Sequence, residues 1–430
     1  MKRKLLLPER VLYGDGNRLF NGVFAVKIRG QIEPGNLYAA LEGLQAKHPL
    51  LKTGITADEQ QVPWFVTAEV KRSIPVRLVE RQTEEDWAEQ TKKELATPFD
   101  MRNGPLCRVV WIRGAEVSDL LITIHHCMCD GTTTATLMHE LLLLLDQPDK
   151  DLGKEVVFES IGQLIPAAIR DNKKNIRKAR LSAAVIRTVL SCITRMMPKN
   201  KPLIRREDDF LLHWKLGREA SSALLRRCVT AHVTPHTALC VAFLQAFAQV
   251  RGSRAHGKIS CPIDIRRLVK EIKRDTVFSF GMAVNLALDK QPGGFWDKAA
   301  RMQVNMLKLV DKLQPYEQLM QFEYLHASAG LMATYLTYAK PKEDLMLSNM
   351  GRMDLPKNFG SFEVEDIYSP AAIGPFGSPC TVMSVTFRGQ MNFSFISNTA
   401  VMAYEEAKRI KNIAMEILLA QITVPVAEPA

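Results

Sequence analysis

A mixed α/β protein of two lobes is what this sequence predicts, and three observations predict it. At 430 residues the chain exceeds the ~250–300 at which single hydrophobic cores stop growing, so two packed lobes are expected. Strand-like and helix-like patterns alternate from residue 10 to about 145 and again from 208 onward, which points to sheets with flanking helices. Between these stretches, residues 151–207 differ in kind. The expected division is an N-terminal lobe over 1–150, a basic amphipathic crossover segment over 151–207, and a C-terminal lobe over 208–430.

In the first stretch, NGVFAVKIRG (21–30) alternates in a β-rich pattern and stops at a glycine. Apolar residues then recur at 37, 40, 41, 44 and 51, mostly helical spacing, so a strand followed by a helix is expected. Pro63–Val70 and Ser73–Val79 read as short strands, EEDWAEQTKKELATPF as a helix closed by Pro98, and Leu106–Ile112 with Asp119–His125 as paired strands. In the last stretch Thr234 and Pro235 cap and start a long helix. Short strands are expected in HWKLG, ISCPIDIR, FGMAVNLAL, EDLMLSNMGRMD, FEVEDIY, CTVMSVTFRG and QMNFSFISN, and EEAKRIKNIAMEILLAQI closes the chain as a helix.

Hydrophobic residues make up 47% and charged residues 24%, too apolar for a disordered chain. The N-terminal apolar run Leu5–Leu7 ends at Pro8 and Glu9, too soon for a signal peptide. No window approaches the roughly 20 apolar residues of a membrane span; the leucine run 141–145 is bracketed by Glu140 and Asp146. The eight cysteines sit mostly in apolar segments without repeated CxxC pairs, as expected of reduced, buried thiols in a cytoplasmic protein.

The net charge of +11 has one source. From Arg170 to Arg206 there are twelve Lys or Arg and a single acid, Asp171, leaving 45 basic and 45 acidic residues elsewhere. Within that window Ile176, Ala179, Ala183, Ile186, Leu190, Ile193 and Met197 recur at spacings of three and four, which predicts an amphipathic helix stopped by Pro198. Either its apolar stripe docks on the protein and the charges are solvated, or the helix meets an anionic membrane surface, coenzyme A phosphates or an acidic carrier protein. Nucleic acid fits poorly, because aromatic residues are not interleaved with the charges.

Chemistry concentrates in LLITIHHCMCDGTTTATLMHELL (120–142). Side chains alternate faces along a strand, so one of His125 and His126 points inward and the other toward a surface or cleft. Asp130 and Gly131 would form a turn, and Thr132–Thr134 would open a helix. An imidazole at such a junction is able to act as a general base at neutral pH. Asp130 is placed either to orient that ring or to pair with a distant arginine and hold the turn. The plainer alternative is a pair of core histidines. Zinc ligation by HHCMCD is disfavoured by the same alternation, which splits the ligands between two faces, and no metal is assigned. GxSxG, GxxxxGK[ST] and GxGxxG motifs are absent from the sequence, removing the usual signals of serine nucleophiles, phosphate loops and dinucleotide folds. His48 in KHPLL reads as a packing and turn residue, and His213, His232 and His236 as structural residues that flank or begin helices.

HHCMCDG matches the HHxxxDG signature, and here the chain resembles the superfamily of condensation domains and chloramphenicol-acetyltransferase-like acyltransferases, which includes alcohol acetyltransferases, polyketide-associated acyltransferases and wax-ester synthases. GQIEPGNLYAALEGLQAKHPLLKT, TPFDMRNGPLCRVVW, LSNMGRMD and TFRGQMNFSFISN resemble further segments of that superfamily, in its order. The resemblance implies two chloramphenicol-acetyltransferase-like lobes, each a mixed open sheet with flanking helices, with a tunnel between them. It implies His126 as catalytic base, His125 beside it in the motif, Asp130 as a structural acid paired with Arg266 (Arg267 as fallback), and Gly131 keeping the backbone close. FSFGMAVN occupies the place of the segment that supplies Asn285 as site support, and lacks the tryptophan of the plant enzymes. Ser348 and Asn349 would line the tunnel and hold an oxyanion. The implied activity is transfer of an acyl group, other than aminoacyl, from coenzyme A or a carrier-protein phosphopantetheine thioester to an alcohol or amine. No permanent cofactor and no acyl-enzyme are implied. A free-standing peptide-forming condensation domain and a non-catalytic scaffold are the competing expectations, and a peripheral position on the inner membrane face would suit a lipid acceptor.

Overall fold

The computed structural model describes residues 1–16, 19–67, 72–199, 204–374, 376 and 380–422. Two large sheets carry the fold. The N-terminal one is ordered 362–367, 21–30, 117–125, 107–113, 76–80, with the short strand Ala371–Ala372 also on 21–30. Its neighbours are antiparallel except the last pair. The C-terminal sheet is ordered 282–287, 258–263, 345–352, 380–387, 390–398, 209–216, with parallel pairing on both sides of 345–352. A third sheet joins Lys2–Lys4, Pro63–Thr67 and Thr53–Ala57. Each large sheet buries its own apolar core.

Differences from the sequence expectations have identifiable causes. Phe362–Ile367, expected among the strands of the C-terminal lobe, crosses the division drawn at 208 and forms the edge of the N-terminal sheet against Asn21–Gly30. Edge choice is a long-range matter that strand propensity does not encode. The strand expected over Ser73–Val79 spans Val76–Glu80, and that over Pro63–Val70 ends at Thr67, its last three positions lying outside the described residues. Helices Phe295–Asp311, Pro315–Leu325 and Ala329–Tyr338 add to the elements expected from the pattern. His213 lies within the strand Asp209–Leu216, its Nε2 2.6 Å from Glu85.

The crossover helix runs over Lys173–Met196, opened by Asn172, whose Oδ1 accepts from the N–H groups of Lys174 and Asn175. It packs on Pro315–Leu325 and Ala329–Tyr338 through the predicted stripe, of which Ala179 and Ala183 are buried. Ile193, expected in that stripe, is exposed. It joins a second apolar row outside the predicted one: Leu181, Val185, Val189 and Met196, exposed by 59%, 62%, 50% and 85%. Around the helix, Leu181, Val185, Val189 and Ile193 are each four residues apart and drift slowly round one side.

His48 does more than turn the chain. It caps the helix Pro34–Lys47, and its ring is fully buried between Glu140 Oε2 at 2.5 Å and Glu155 Oε2 at 2.9 Å. Lys47 Nζ adds contacts to Glu140 at 2.5 Å and Asp275 at 3.1 Å. Burial alone would lower the His48 pKa, but the two carboxylates outweigh it and the net shift is upward. A raised folded pKa means the imidazolium stabilises the fold fully below the unfolded value near 6.5 and less as pH climbs through the folded pKa. The stability gap between wild type and His48→Gln, measured by chemical denaturation, should therefore narrow as pH rises; a gap independent of pH would refute the buried imidazolium.

Candidate active site

The motif strand Val117–His125 ends at the first histidine, and the helix Gly131–Asp146 begins six residues later. His125 is buried, accepts the Cys127 N–H at Nδ1 over 3.3 Å and meets Phe99 edge-on. Its role is to shape the turn. His126 points the other way. Its N–H donates to the Phe20 carbonyl at 2.7 Å, and its ring stacks on Phe20 with centroids 4.4 Å apart and planes 15° apart. Backbone anchor and aromatic face together fix the imidazole.

The two nitrogens of His126 differ in environment. Nδ1 is sealed from solvent and lacks a well-formed hydrogen bond, although the carbonyls of His126 and Cys129 lie close enough to favour the protonated ring. Nε2 makes no hydrogen bond among the described residues, and the residue as a whole is half-buried. Burial is the dominant influence and pulls the His126 pKa below its ordinary value, with the charge of Asp130 a smaller opposing effect. The ring is thus neutral at physiological pH, as a base must be. The neighbouring thiols offer no rival nucleophile: burial raises Cys127 and pushes Cys129 up to about 12, so neither is a thiolate at neutral pH.

Asp130 does two jobs. Oδ1 accepts the Thr133 N–H at 2.8 Å and caps the helix, while Oδ2 pairs with Arg266 Nη1 at 2.6 Å. Arg266 follows the strand Lys258–Ile263 in the other lobe. Its second nitrogen donates to Thr133 Oγ1 at 2.8 Å and the Thr276 carbonyl at 3.0 Å, and its plane lies 4.4 Å from the Phe278 ring centre. Asp264 braces the same turn, accepting from the Arg266 N–H and from Thr132 Oγ1, each at 3.0 Å. It is Arg266, not Arg267, that Asp130 holds.

Gly131 sits against Met350: a Cβ there would lie 2.7 Å from the Met350 sulfur. Through this contact the strand Leu345–Arg352, with Ser348 and Asn349, passes beside the motif turn. Asn349 uses its carbonyl oxygen on the Gly351 N–H at 2.8 Å, which leaves its amide NH₂ as a donor. Asn285 is not part of this group. It lies exposed on the edge strand Met282–Ala287 and donates to Glu343 at 2.9 Å. Strand alternation explains the difference, since Met282, Val284 and Leu286 take the buried face.

Phe20, Thr132, Thr133, Asp264, Thr276 and Met350 are site neighbours that the motif by itself does not point to. Thr133, three residues after Asp130, carries a capping signal. The others depend on contacts between distant segments.

Residues 12–151 match the family model of the condensation domain. Over 130 residues the chain is 29% identical to a linear gramicidin synthase of Brevibacillus parabrevis, covering 29% of this chain and 2% of that protein. Among solved structures, the first condensation domain of the calcium-dependent antibiotic synthetase has TM-score 0.73 at 15% identity, covering 99% of this chain and 98% of that one. A trichothecene 15-O-acetyltransferase from Fusarium sporotrichioides has TM-score 0.72 at 12% identity, covering 98% and 95%. The resemblance read from the motif thus holds in sequence over the first third of the chain and in fold over nearly all of it.

Arg266 is almost wholly buried, and removing one partner of a buried pair typically costs ~3–5 kcal/mol. Arg266→Ala should lower the denaturation free energy by that order. Asp130→Asn keeps an acceptor for the Thr133 N–H whereas Asp130→Ala does not, so Ala should be the worse by about 1 kcal/mol, the usual worth of a cap. Equal losses in a denaturation series would deny Asp130 its capping role.

Proposed function

We propose that this chain, with a condensation-domain sequence match in its first third and the condensation and chloramphenicol-acetyltransferase-like fold throughout, is an acyltransferase in which His126 is the general base. One observation carries the reading. The imidazole is held by Phe20 and kept neutral by burial, and its Nε2 makes no hydrogen bond among the described residues. An acceptor hydroxyl or amine approaching that nitrogen from a channel between the lobes would lose its proton as it attacks a thioester carbonyl. The resulting oxyanion needs donors that do not reorganise during reaction, a role suited to the Ser348 hydroxyl and the Asn349 amide. The thioester is donated by coenzyme A or by a carrier-protein phosphopantetheine. Collapse of the intermediate releases the thiol directly, without an acyl-enzyme.

A second reading is favoured by the curated relatives, which include nonribosomal peptide synthetases: a free-standing condensation domain that takes both acyl and amine from carriers. Incubation with a panel of acyl-coenzyme A thioesters, following thiol release with and without alcohols and amines, separates the two. Turnover with free coenzyme A thioesters supports the first; turnover only with carrier-bound donors supports the second.

Losing a general base typically costs ~10²–10⁴-fold in rate. His126→Ala should show such a loss in kcat with an unchanged circular dichroism spectrum. In the wild type, kcat/KM should rise with pH to a plateau, its midpoint below 6.5 because the base form is the active one. Near wild-type turnover in His126→Ala would end the assignment.

The crossover helix suits a peripheral position on an anionic membrane. Its exposed row Leu181, Val185, Val189, Ile193 and Met196 lies beside Lys173, Arg177, Arg180, Arg187 and Arg195, with no acid from 172 to 206. An apolar row immersed at the headgroup boundary with cations alongside is the pattern of an interfacial helix. The protein should co-sediment with phosphatidylglycerol vesicles at low salt and less with phosphatidylcholine. Val185→Ser with Val189→Ser should weaken sedimentation without changing the melting temperature. Equal sedimentation of this variant, or none by the wild type, would exclude the contact.

A further inference from the structure

Away from the acyl-transfer site, the N-terminal end of the helix Pro235–Arg251 and the strand facing it bring together three side chains that can ligate a metal. His236 and Cys240 stand four residues apart on one face of it, and Cys261 faces them from the strand Lys258–Ile263. His236 Nε2 lies 3.6 Å from Cys240 Sγ, Cys240 Sγ lies 3.8 Å from Cys261 Sγ, and all three atoms fall within 4.8 Å of one another. Both cysteines are fully buried, while His236 is half-buried and closes the open side. Sequence spacing points to none of this, because Cys261 lies 21 residues beyond Cys240 on another element.

We propose that His236, Cys240 and Cys261 form a binding site for a thiophilic divalent cation, zinc being the best match. The argument is geometric. Zinc bonds of about 2.3 Å to sulfur and about 2.0–2.1 Å to imidazole nitrogen, arranged tetrahedrally, put the ligand atoms about 3.8 Å apart for S···S and about 3.5–3.6 Å for S···N. The observed separations of 3.8 and 3.6 Å match two of those edges, and the third, between His236 and Cys261, lies within 4.8 Å. The ligand-bearing turn is also braced. Gln303 Oε1 accepts from the Thr234 N–H at 3.0 Å and from the Thr234 and Thr237 hydroxyls at 2.9 and 2.6 Å, fixing the helix start from a neighbouring helix.

Soft thiolates with one imidazole select zinc over magnesium or calcium, which require oxygen ligands. Binding displaces the two thiol protons to solvent and forms two metal–sulfur bonds and one metal–nitrogen bond, with no change of oxidation state. Among the described residues no further His, Cys, Asp or Glu joins the cluster, so the fourth position belongs to water on the His236 side. The bound ion would tie helix to strand at the strand that runs directly into Asp264 and Arg266. It is a clamp on the C-terminal lobe, separate from the histidine that performs the proposed chemistry.

The full chain, reduced and stripped of metal, is titrated with Co²⁺ as an optical probe and then with Zn²⁺. One equivalent of cobalt should produce a thiolate charge-transfer band and visible bands of tetrahedral intensity, zinc should displace it, and zinc should raise the melting temperature. Cys261→Ala should abolish the charge-transfer band. His236→Gln, at a half-buried helix start that tolerates the change, should weaken binding by at least the ~10–100-fold that loss of an outer-shell partner costs. Cys192→Ser, which removes the exposed thiol, should leave the titration as it was. Absence of the bands in the wild type, their persistence in Cys261→Ala, or wild-type affinity in His236→Gln would overturn the site.

Discussion

The ion pair between Asp130 and Arg266, 2.6 Å long and almost closed to solvent, is the constraint on which the candidate site depends. It joins the turn after the motif strand to the turn after a strand of the other lobe. It also decides what the carboxylate does. A free carboxylate beside His126 would hold the imidazole protonated; one already committed to a guanidinium and a helix cap exerts only a minor pull, and burial prevails. Arg266 in turn is not left to one partner, since Asp264, Thr133 and the Thr276 carbonyl also accept from its two Nη groups, while its buried Nε–H makes no hydrogen bond. A guanidinium anchored through both Nη groups holds the pair in position, which an isolated buried pair does not ensure.

Segment 275–279 turns out to be where the two lobes are fastened. Asp275 meets Lys47, the Thr276 and Phe278 carbonyls each lie 3.4 Å from the Thr133 hydroxyl, the Val277 N–H donates to Glu155 at 2.6 Å, and the Ser279 N–H donates to Glu9 at 3.4 Å, while Arg266 holds the Thr276 carbonyl and the Phe278 ring from within their own lobe. Glu9 is itself bound through both oxygens by Arg3, and both side chains are buried. Side chains from separate parts of the N-terminal half thus converge on one short loop. Such a loop lacks the regular hydrogen bonds of a strand, and its buried N–H groups must be satisfied by side chains. Charged acceptors make the stronger bonds.

The same long-range fastening separates what the sequence discloses from what it hides. The HHxxxDG turn is legible because strand, cap and helix start lie within a dozen residues, whereas Arg266 is pointed to only by the superfamily resemblance of CPIDIRRLV. The FSFGMAVN segment draws attention for Asn285, whereas its contribution lies at the opposite end, in Phe278 and the residues just before it; nothing local marks a loop whose value is in whom it meets. Phe362–Ile367 is recognisable as a strand but its sheet is not, because alternation specifies a face and not a neighbour. In the crossover helix the docked stripe is legible from its three-and-four spacing, yet the second row of Leu181, Val185 and Val189 follows the same rule of spacing. Only packing against the helices at 315–325 and 329–338 distinguishes the buried row from the exposed one.

The environment of His126 also bears on how the proposed transfer must run. A base whose pKa lies below the imidazole norm cannot strip an alkylammonium, near pKa ~10, or an alcohol before attack. Proton transfer has to accompany bond formation, when the attacking atom becomes acidic. The imidazolium so formed sits in a buried setting whose nearest carboxylate is already paired, so it gains little from staying charged. A departing thiolate, with an ordinary pKa near ~8.5, is a better home for that proton. The same burial that weakens His126 as a base strengthens its conjugate as an acid, and one ring can therefore serve both halves of the reaction.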